Sequence, residues 1–452
     1  MVLINRQTLL TGMVTIFCTI TVGLCNSVVN SDFVILIFYL LYICWILSKR
    51  REVFLKYFYF ILMSSWQVIS VFAIENVKMY LPNLKTTSYH TGAFVPLVVV
   101  EIIVLFVITL LEDNRAKKDT TDIGLTRLGK TSYKFIGLIA VVVIFAFVAE
   151  ISNKNYYISG ASDRFYYTLA LNAVSIGLYG YLIFLYPLLT INAEKNGKPK
   201  ALWIFTFFYV IYIFLIGQKF GPFIQTLYFL LLTYFLPFKK SAMNKYYKKI
   251  LMAIVIIGTA LLILSVRQMT IEKGSIEAGV EQFYNRLFNG QGDVWWGVYS
   301  RHSNEGLHLN ELKDELGAFS AGKLLQQNYN FGVYKMMKLV APNSIILYYA
   351  QRGARFTAST NASLFYYFGI PGLIVFKIIL AFLMYFLCNK IIDSCRKGFG
   401  LEGVLYVWLM SHFTRVYYMS SFDLFLSTSA IGCYILLLAN HFWGRRLSIL
   451  NK

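Results

Sequence analysis

Apolar runs of roughly 16 to 25 residues recur along the chain near 9–29, 33–48, 54–74, 93–111, 134–151, 167–191, 201–217, 222–237, 249–266, 364–388, 402–419 and 423–443. A helix of about 20 residues matches a hydrocarbon core of about 30 Å, and lipid offers no partner to the backbone of any open structure. The runs therefore predict an all-α polytopic integral membrane protein of about 12 transmembrane helices. The short pair 201–217 and 222–237 is open to a second reading, one broken helix or a re-entrant hairpin. Composition agrees, with 58% hydrophobic and only 14% charged residues, against about a quarter charged in an ordinary globular domain. The first run lacks a small-residue cleavage site and meets the second almost at once, so it reads as a retained span rather than a signal peptide.

The formal net charge of +20 would suggest nucleic acid or an acidic partner in a soluble protein. Here its placement matters more, because lysine and arginine collect in cytoplasmic loops. Lys49 to Arg51, Arg115 to Lys134, Lys195 to Lys200, Lys239 to Lys249, Lys390 to Lys397 and Arg445-Arg446 alternate with loops poor in basic residues at 75–92, 152–166, 218–221 and 418–422. That alternation predicts cytoplasmic termini and divides the chain into a transmembrane bundle of about nine helices over 1–266, a large external loop over 267–363 and about three closing spans over 364–452. Nucleic acid is no part of this reading.

The external loop is patterned rather than linker-like. Leu309, Leu312, Leu316 and Phe319 recur at spacings of three to four, which predicts a short amphipathic helix suited to lie over the bundle as a lid. A second, less regular pattern runs from Phe331 to Val340 and stops at Pro342. Several familiar signatures fail. Gly317 to Lys323 has phosphate-loop spacing, but Leu324 stands where a Ser or Thr must hold magnesium. Ala318 stands where a nucleophile elbow at Ser320 needs glycine. The six cysteines lie in apolar runs or the basic loop near 395, so the loop holds neither a disulfide scaffold nor a Cys-based zinc site. His302 and His308 are not at the helical spacing of metal ligands, no paired Asp motif occurs, and neither metal nor cofactor is expected.

What the loop offers is arginine among aromatics. Arg286 sits in the run Phe283 to Phe288, followed by Gly290, Gly292, Asp293, Trp295 and Trp296, while Arg352 and Arg355 flank Gly353. A guanidinium fork donates two hydrogen bonds to phosphate and never loses its charge. Trp faces suit sugar rings, and glycine lets backbone approach a bulky ligand. The plainer reading is lipid-phosphate contact and an interfacial aromatic belt; clustering in one loop favours a site. Lys219, within the small and polar run Gly217 to Pro222, is either a snorkelling side chain or a cation aimed into an external cavity. Within the spans, Glu101, Lys377, His412, Arg415 and Asp423 would be penalised if unpaired. Glu101 with Lys377, or Arg415 with Asp423, are candidate pairs, and Arg415 lies where it can face the loop.

With these residues the chain resembles the O-antigen polymerase (Wzy) family of oligosaccharide repeat-unit polymerases. Nearly the whole layout takes part, and locally the resemblance rests on Gly217 to Pro222, on Phe283 to Trp296 and on Thr357 to Gly372. It implies a multi-span C-type glycosyltransferase fold in the bacterial inner (cytoplasmic) membrane. The implied reaction moves a growing glycan from undecaprenyl pyrophosphate to the non-reducing end of an incoming lipid-linked repeat unit on the periplasmic face, without a metal. The implied partners are the undecaprenyl-pyrophosphate-linked oligosaccharide, membrane lipids, a chain-length-determinant protein and a flippase. Pyrophosphate and glycan contacts fall to Lys219, Arg286, Arg352, Arg355, Arg415, Trp295 and Trp296, with Lys219 standing where arginine is usual. Fixed cations would stabilise the leaving pyrophosphate, and a base is needed at the acceptor hydroxyl. Asp293, His302, His308 and Glu311 all qualify; Asp293 and His302 rank first because they flank the aromatic cluster. An O-antigen ligase shares this layout, and a flippase or other transporter shares the span count, although no internal repeat of the kind common in transporters is visible.

Overall fold

Among the described residues of a computed structural model of the chain, six helices are long and apolar enough to cross a membrane. Residues 6–24, 31–116, 182–197, 199–215, 220–239, 274–313, 332–351, 356–357 and 360–450 are described, with isolated positions between 247 and 270. The helices in chain order are α1 (Arg6–Leu24), α2 (Ser31–Lys49), α3 (Arg51–Asn76), α4 (Phe94–Ala116), α5 (Tyr186–Lys195), α6 (Pro199–Leu215) and α7 (Phe220–Leu230, running on through a π turn at Leu231–Phe235). There follow α8 (Ile276–Phe288), α9 (Asp293–His302), α10 (Gly332–Val340), α11 (Asn343–Gln351), α12 (Thr360–Lys397), α13 (Gly400–Met419) and α14 (Thr428–Leu450). The helices of that length and apolarity are α1 to α4, α7 and α12. A two-stranded ribbon pairs Tyr80–Leu81 with Thr86–Thr87 between α3 and α4.

The chain divides into two compact units. One comprises Met1–Thr120, Tyr284–Phe386 and Met410–Leu436, the other Thr121–Phe283, Leu387–Leu409 and Leu437–Lys452. In the first, α3 is buried along most of its length. Its Phe60 ring meets Phe413, Tyr417 and Tyr418 at centroid distances of 5.6, 5.2 and 6.1 Å. Ion pairs lie inside this unit, as the several kcal/mol cost of an isolated buried ion favours. Lys56 Nζ lies 2.6 Å from Glu112 Oε1, which also accepts from the Tyr57 hydroxyl at 2.6 Å. Arg50 lies 2.9 Å from Asp113. Lys377 Nζ lies 3.0 Å from Glu101 Oε1 with both side chains 1% exposed, so the pair expected from sequence forms. In the second unit, Phe184 stacks on Trp408 at 5.2 Å, and Gly400 and Gly403 admit Leu188 and Pro187.

α12 has 38 residues, or about 57 Å at 1.5 Å per residue, far more than a bilayer core needs. It starts at Thr360, ahead of the expected span at 364. It is broken at Gly369, whose φ of 66° and ψ of −173° belong to a region that only glycine occupies readily, and Pro371 follows. The expected last span 423–443 begins instead as a 3-10 turn at Phe422–Leu426. Ser427 then caps α14, its Oγ accepting from the Ala430 N–H at 3.3 Å. The pattern at 331–340 is α10, ended before Pro342. The amphipathic segment expected from Leu309 opens as a 3-10 turn at Leu309–Glu311. Its continuation beyond Lys313, the stretch Gly317 to Lys323, and the candidate spans at 134–151 and most of 167–191 and 249–266 lie outside the described residues.

Gly369→Ala should destabilise the protein by about 1–3 kcal/mol, because the backbone conformation there penalises any side chain. Gly432→Ala, within α14 where an added methyl meets nothing within 4 Å, should be neutral or stabilising by about 0.5–1 kcal/mol. Thermal unfolding of both variants in detergent checks the opposite signs.

Candidate functional site

α9 is locked into the first unit by its two tryptophans. Burial forces each indole N–H to find a partner: Trp295 Nε1 donates to the Ala93 carbonyl at 2.8 Å and Trp296 Nε1 to the Tyr89 carbonyl at 3.2 Å. Both rings are buried. Two of the supposed sugar platforms are thus core residues, and the expectation of open indole faces is corrected. The glycine reading changes in the same way. A Cβ at Gly292 would sit 2.9 Å from the Val71 nitrogen of α3, and one at Gly297 2.9 Å from Val340 of α10. At these two glycines the close approach is to the protein's own helices.

Asp293 opens α9 and is 1% exposed. Its Oδ2 accepts from Asn83 Nδ2 at 2.8 Å and its Oδ1 from the Val294 N–H at 2.8 Å. Tyr349 donates to Asn83 Oδ1 at 2.9 Å and completes the chain. Burial lifts the carboxyl to about 6, against the lowering effect of its hydrogen bonds. An acid so enclosed fixes the start of α9 rather than meeting a substrate hydroxyl.

The far end of α9 is different. Trp295, Tyr299 and His302 recur at four and three residues, placing all three on one helix face, and that face lies along the N-terminal turns of α12. Trp295 and Tyr299 meet Phe365 at 5.5 and 5.2 Å, and His302 meets Tyr366 at 5.1 Å. The chain then turns tightly, with the Glu305 N–H donating to the His302 carbonyl at 3.1 Å. This turn brings Glu305 Oε2 to 2.5 Å from His302 Nδ1 and 3.1 Å from His308 Nε2. The His308 ring lies flat on Tyr366, 4.1 Å away at 5°. Its Nδ1 faces Glu311 Oε1 at 3.6 Å. Tyr366 donates to the Glu311 carboxylate, 3.0 Å from either oxygen, and Lys335 Nζ of α10 lies 3.0 Å from Oε2. Lys335 is 7% exposed and rests 5.3 Å from the Tyr367 ring centre.

Electrostatics follow from these contacts. The hydrogen bond from His302, with the charges of both imidazoles, holds Glu305 below the usual carboxylate range. Partial burial pushes Glu311 up, but the bonds from Lys335 and Tyr366 outweigh it and leave the group low. Two acceptors, two imidazoles and a cation therefore share one partly open patch, able to take up a proton or to bind a positive ligand.

Of the four base candidates, the structure gathers His302, His308 and Glu311 and leaves Asp293 apart. Arg415 is exposed on α13. α8 carries Arg286, whose side chain lies outside the described residues, as do Asp423's side chain and all of Lys219, Arg352 and Arg355. Glu305 and Lys335 were missed. His302 and His308 do not have the helical spacing of metal ligands, but a turn brings both to Glu305. Lys335 was signalled only as a charge on the apolar face of α10.

Because the folded Asp293 carboxyl titrates near 6 and an unfolded one near 3.9, the folded state binds the extra proton between those values. Stability then falls as pH rises through that window, by about 3 kcal/mol in total. The unfolding midpoint of the wild type relative to Asp293→Asn should drop by several degrees from pH 4 to pH 6.5; a constant difference would contradict the assignment.

A family model described as a family of unknown function (DUF6418) matches residues 326–433. The match takes in Lys335, Tyr366 and Lys377 but not the turn from His302 to Glu311. No curated protein matches the chain, and no solved structure does.

Proposed function

We propose that this chain is a surface-polysaccharide polymerase of the bacterial cytoplasmic membrane, moving a glycan from undecaprenyl pyrophosphate to an incoming lipid-linked repeat unit. The observation that carries the reading is the patch of His302, Glu305, His308, Glu311 and Lys335 at the N-terminal end of α12, where a non-spanning segment meets a span. A lipid-anchored acceptor sugar would present its hydroxyl at such a junction. The alternation of basic loops in the sequence supports a periplasmic position for this junction, with about twelve spans and both termini cytoplasmic.

In this reaction the acceptor oxygen bonds to the anomeric carbon as the bond from that carbon to pyrophosphate breaks. The hydroxyl proton passes to the His302 and Glu305 group. The lipid pyrophosphate leaves with its charge met by Arg286, Arg352, Arg355 and Lys219, so no metal is needed on the donor side. Arg415 remains a candidate for glycan contact.

Cells lacking the protein should accumulate lipid-linked single repeat units and make no long chains; an unchanged chain-length ladder would sink the reading. Transfer in vitro to lipid A core instead of a second lipid-linked unit would identify a ligase. Arg286→Ala and Arg352→Ala should each abolish polymerisation at unchanged protein level. His302→Ala should slow it by roughly 100-fold or more.

A further inference from the structure

We propose that His302, Glu305 and His308 form a binding site for one divalent transition-metal ion, zinc foremost. One ligand atom each of His302, Glu305 and His308 lies within 4.8 Å of the others, and Glu305 Oε2 faces both His302 Nδ1 and His308 Nε2. Two imidazoles and a carboxylate are the ligand set of a zinc centre that keeps its fourth position open. With bonds of about 2.0–2.2 Å, neighbouring ligand atoms of a tetrahedral ion stand roughly 3.3 Å apart. The separation of 3.1 Å from Glu305 to His308 already fits, and the 2.5 Å from Glu305 to His302 must widen. Glu305 can make that adjustment, because its side chain is 46% exposed on a turn.

A second observation points the same way. A metal-ligating histidine characteristically turns its other ring nitrogen to a carboxylate, which fixes the tautomer and raises the basicity of the ligating nitrogen. His308 Nδ1 faces Glu311 at 3.6 Å, and Glu311 is held in turn by Lys335 and the Tyr366 hydroxyl. Tyr366 also fixes the plane of the ring by stacking on it. His308 is thereby oriented to offer Nε2. The partial exposure of both histidines, 15% and 23%, leaves room for a water or a substrate hydroxyl at the fourth position. Imidazole ligands suit zinc, copper, nickel and iron, whereas magnesium and calcium prefer an all-oxygen shell. The binding claim stands independently of the polymerase reading. On that reading the acceptor hydroxyl reaches the fourth position and, because the ion occupies His302 Nδ1 and Glu305 Oε2, its proton passes to the second oxygen of the Glu305 carboxylate.

The test uses the untagged full chain, purified in detergent, stripped with a chelator and titrated with zinc by calorimetry, with cobalt as a spectroscopic probe. One ion per chain should bind, with the visible bands of tetrahedral cobalt. His302→Ala and His308→Ala should each weaken binding at least tenfold, and Glu311→Gln by roughly tenfold, the low end of the effect of an outer-shell partner. Glu305→Gln, which keeps the shape of the turn, covers the case in which a histidine variant fails to fold. A second cluster of Asp32, Glu75 and His90 also brings ligand atoms together, and His90→Ala should leave the stoichiometry unchanged. Absence of stoichiometric zinc, binding indifferent to His302, His308 and Glu305, or binding lost in His90→Ala would each overturn the site. An unchanged chain-length ladder in cells lacking the protein, with zinc binding intact in the purified chain, would remove the polymerase reading and leave the metal site standing.

Discussion

The ion pair between Lys377 and Glu101 is the interaction on which the first unit depends. Each charge sits at 1% exposure in a helix long and apolar enough to cross a membrane, where an unpaired ion would cost several kcal/mol. Neither α12 nor α4 can therefore move without the other. The pair is also held from two further helices: Asn361 Nδ2, bonded to Gln67 of α3 at 3.0 Å, donates to Glu101 at 3.1 Å, and the Tyr417 ring of α13 lies 3.8 Å from Lys377 Nζ. Four helices converge on one charge pair, which fixes their register more narrowly than apolar packing alone.

That register sets the position of the patch. Tyr366 lies on α12 eleven positions before Lys377, roughly three turns, with the Gly369 break between them. Its ring supports His308 and its hydroxyl holds Glu311, while α10 brings Lys335 from the side. His302 arrives from α9, which is pinned by the buried indoles of Trp295 and Trp296. The rigid parts thus lie beneath the histidines, and the exposed Glu305 turn is the adjustable part. Groups meant to bind a ligand gain from this division, because the supporting shell is ordered before the ligand arrives.

Much of the fold was legible because lipid imposes a simple rule. Runs of apolar residues locate α1 to α4 and α7 to within about five residues, α12 runs nine residues past its expected end at 388, and the penalty for buried charge makes Glu101 with Lys377 a candidate pair. Boundaries failed where a local device intervened, such as the Ser427 cap that delays α14. The site was less legible because residue type does not tell on which side of a buried layer a group falls. Trp295, Trp296, Gly292 and Asp293 have the chemistry of a sugar site and are spent on packing and hydrogen bonds inside the protein. His302 and His308 were visible as base candidates, but their meeting at Glu305 depends on a turn and on Tyr366, more than fifty residues further along the chain. A contact at that distance leaves no trace in spacing.

The dependence on the ion pair is tested most directly by a double-mutant cycle on Glu101→Gln and Lys377→Met, read as thermal unfolding of the full chain in detergent. Each single change should destabilise by about 3–5 kcal/mol, since it strands a buried charge, and the double variant should recover most of that loss. Additive losses in the double variant, or single variants as stable as the wild type, would contradict the account.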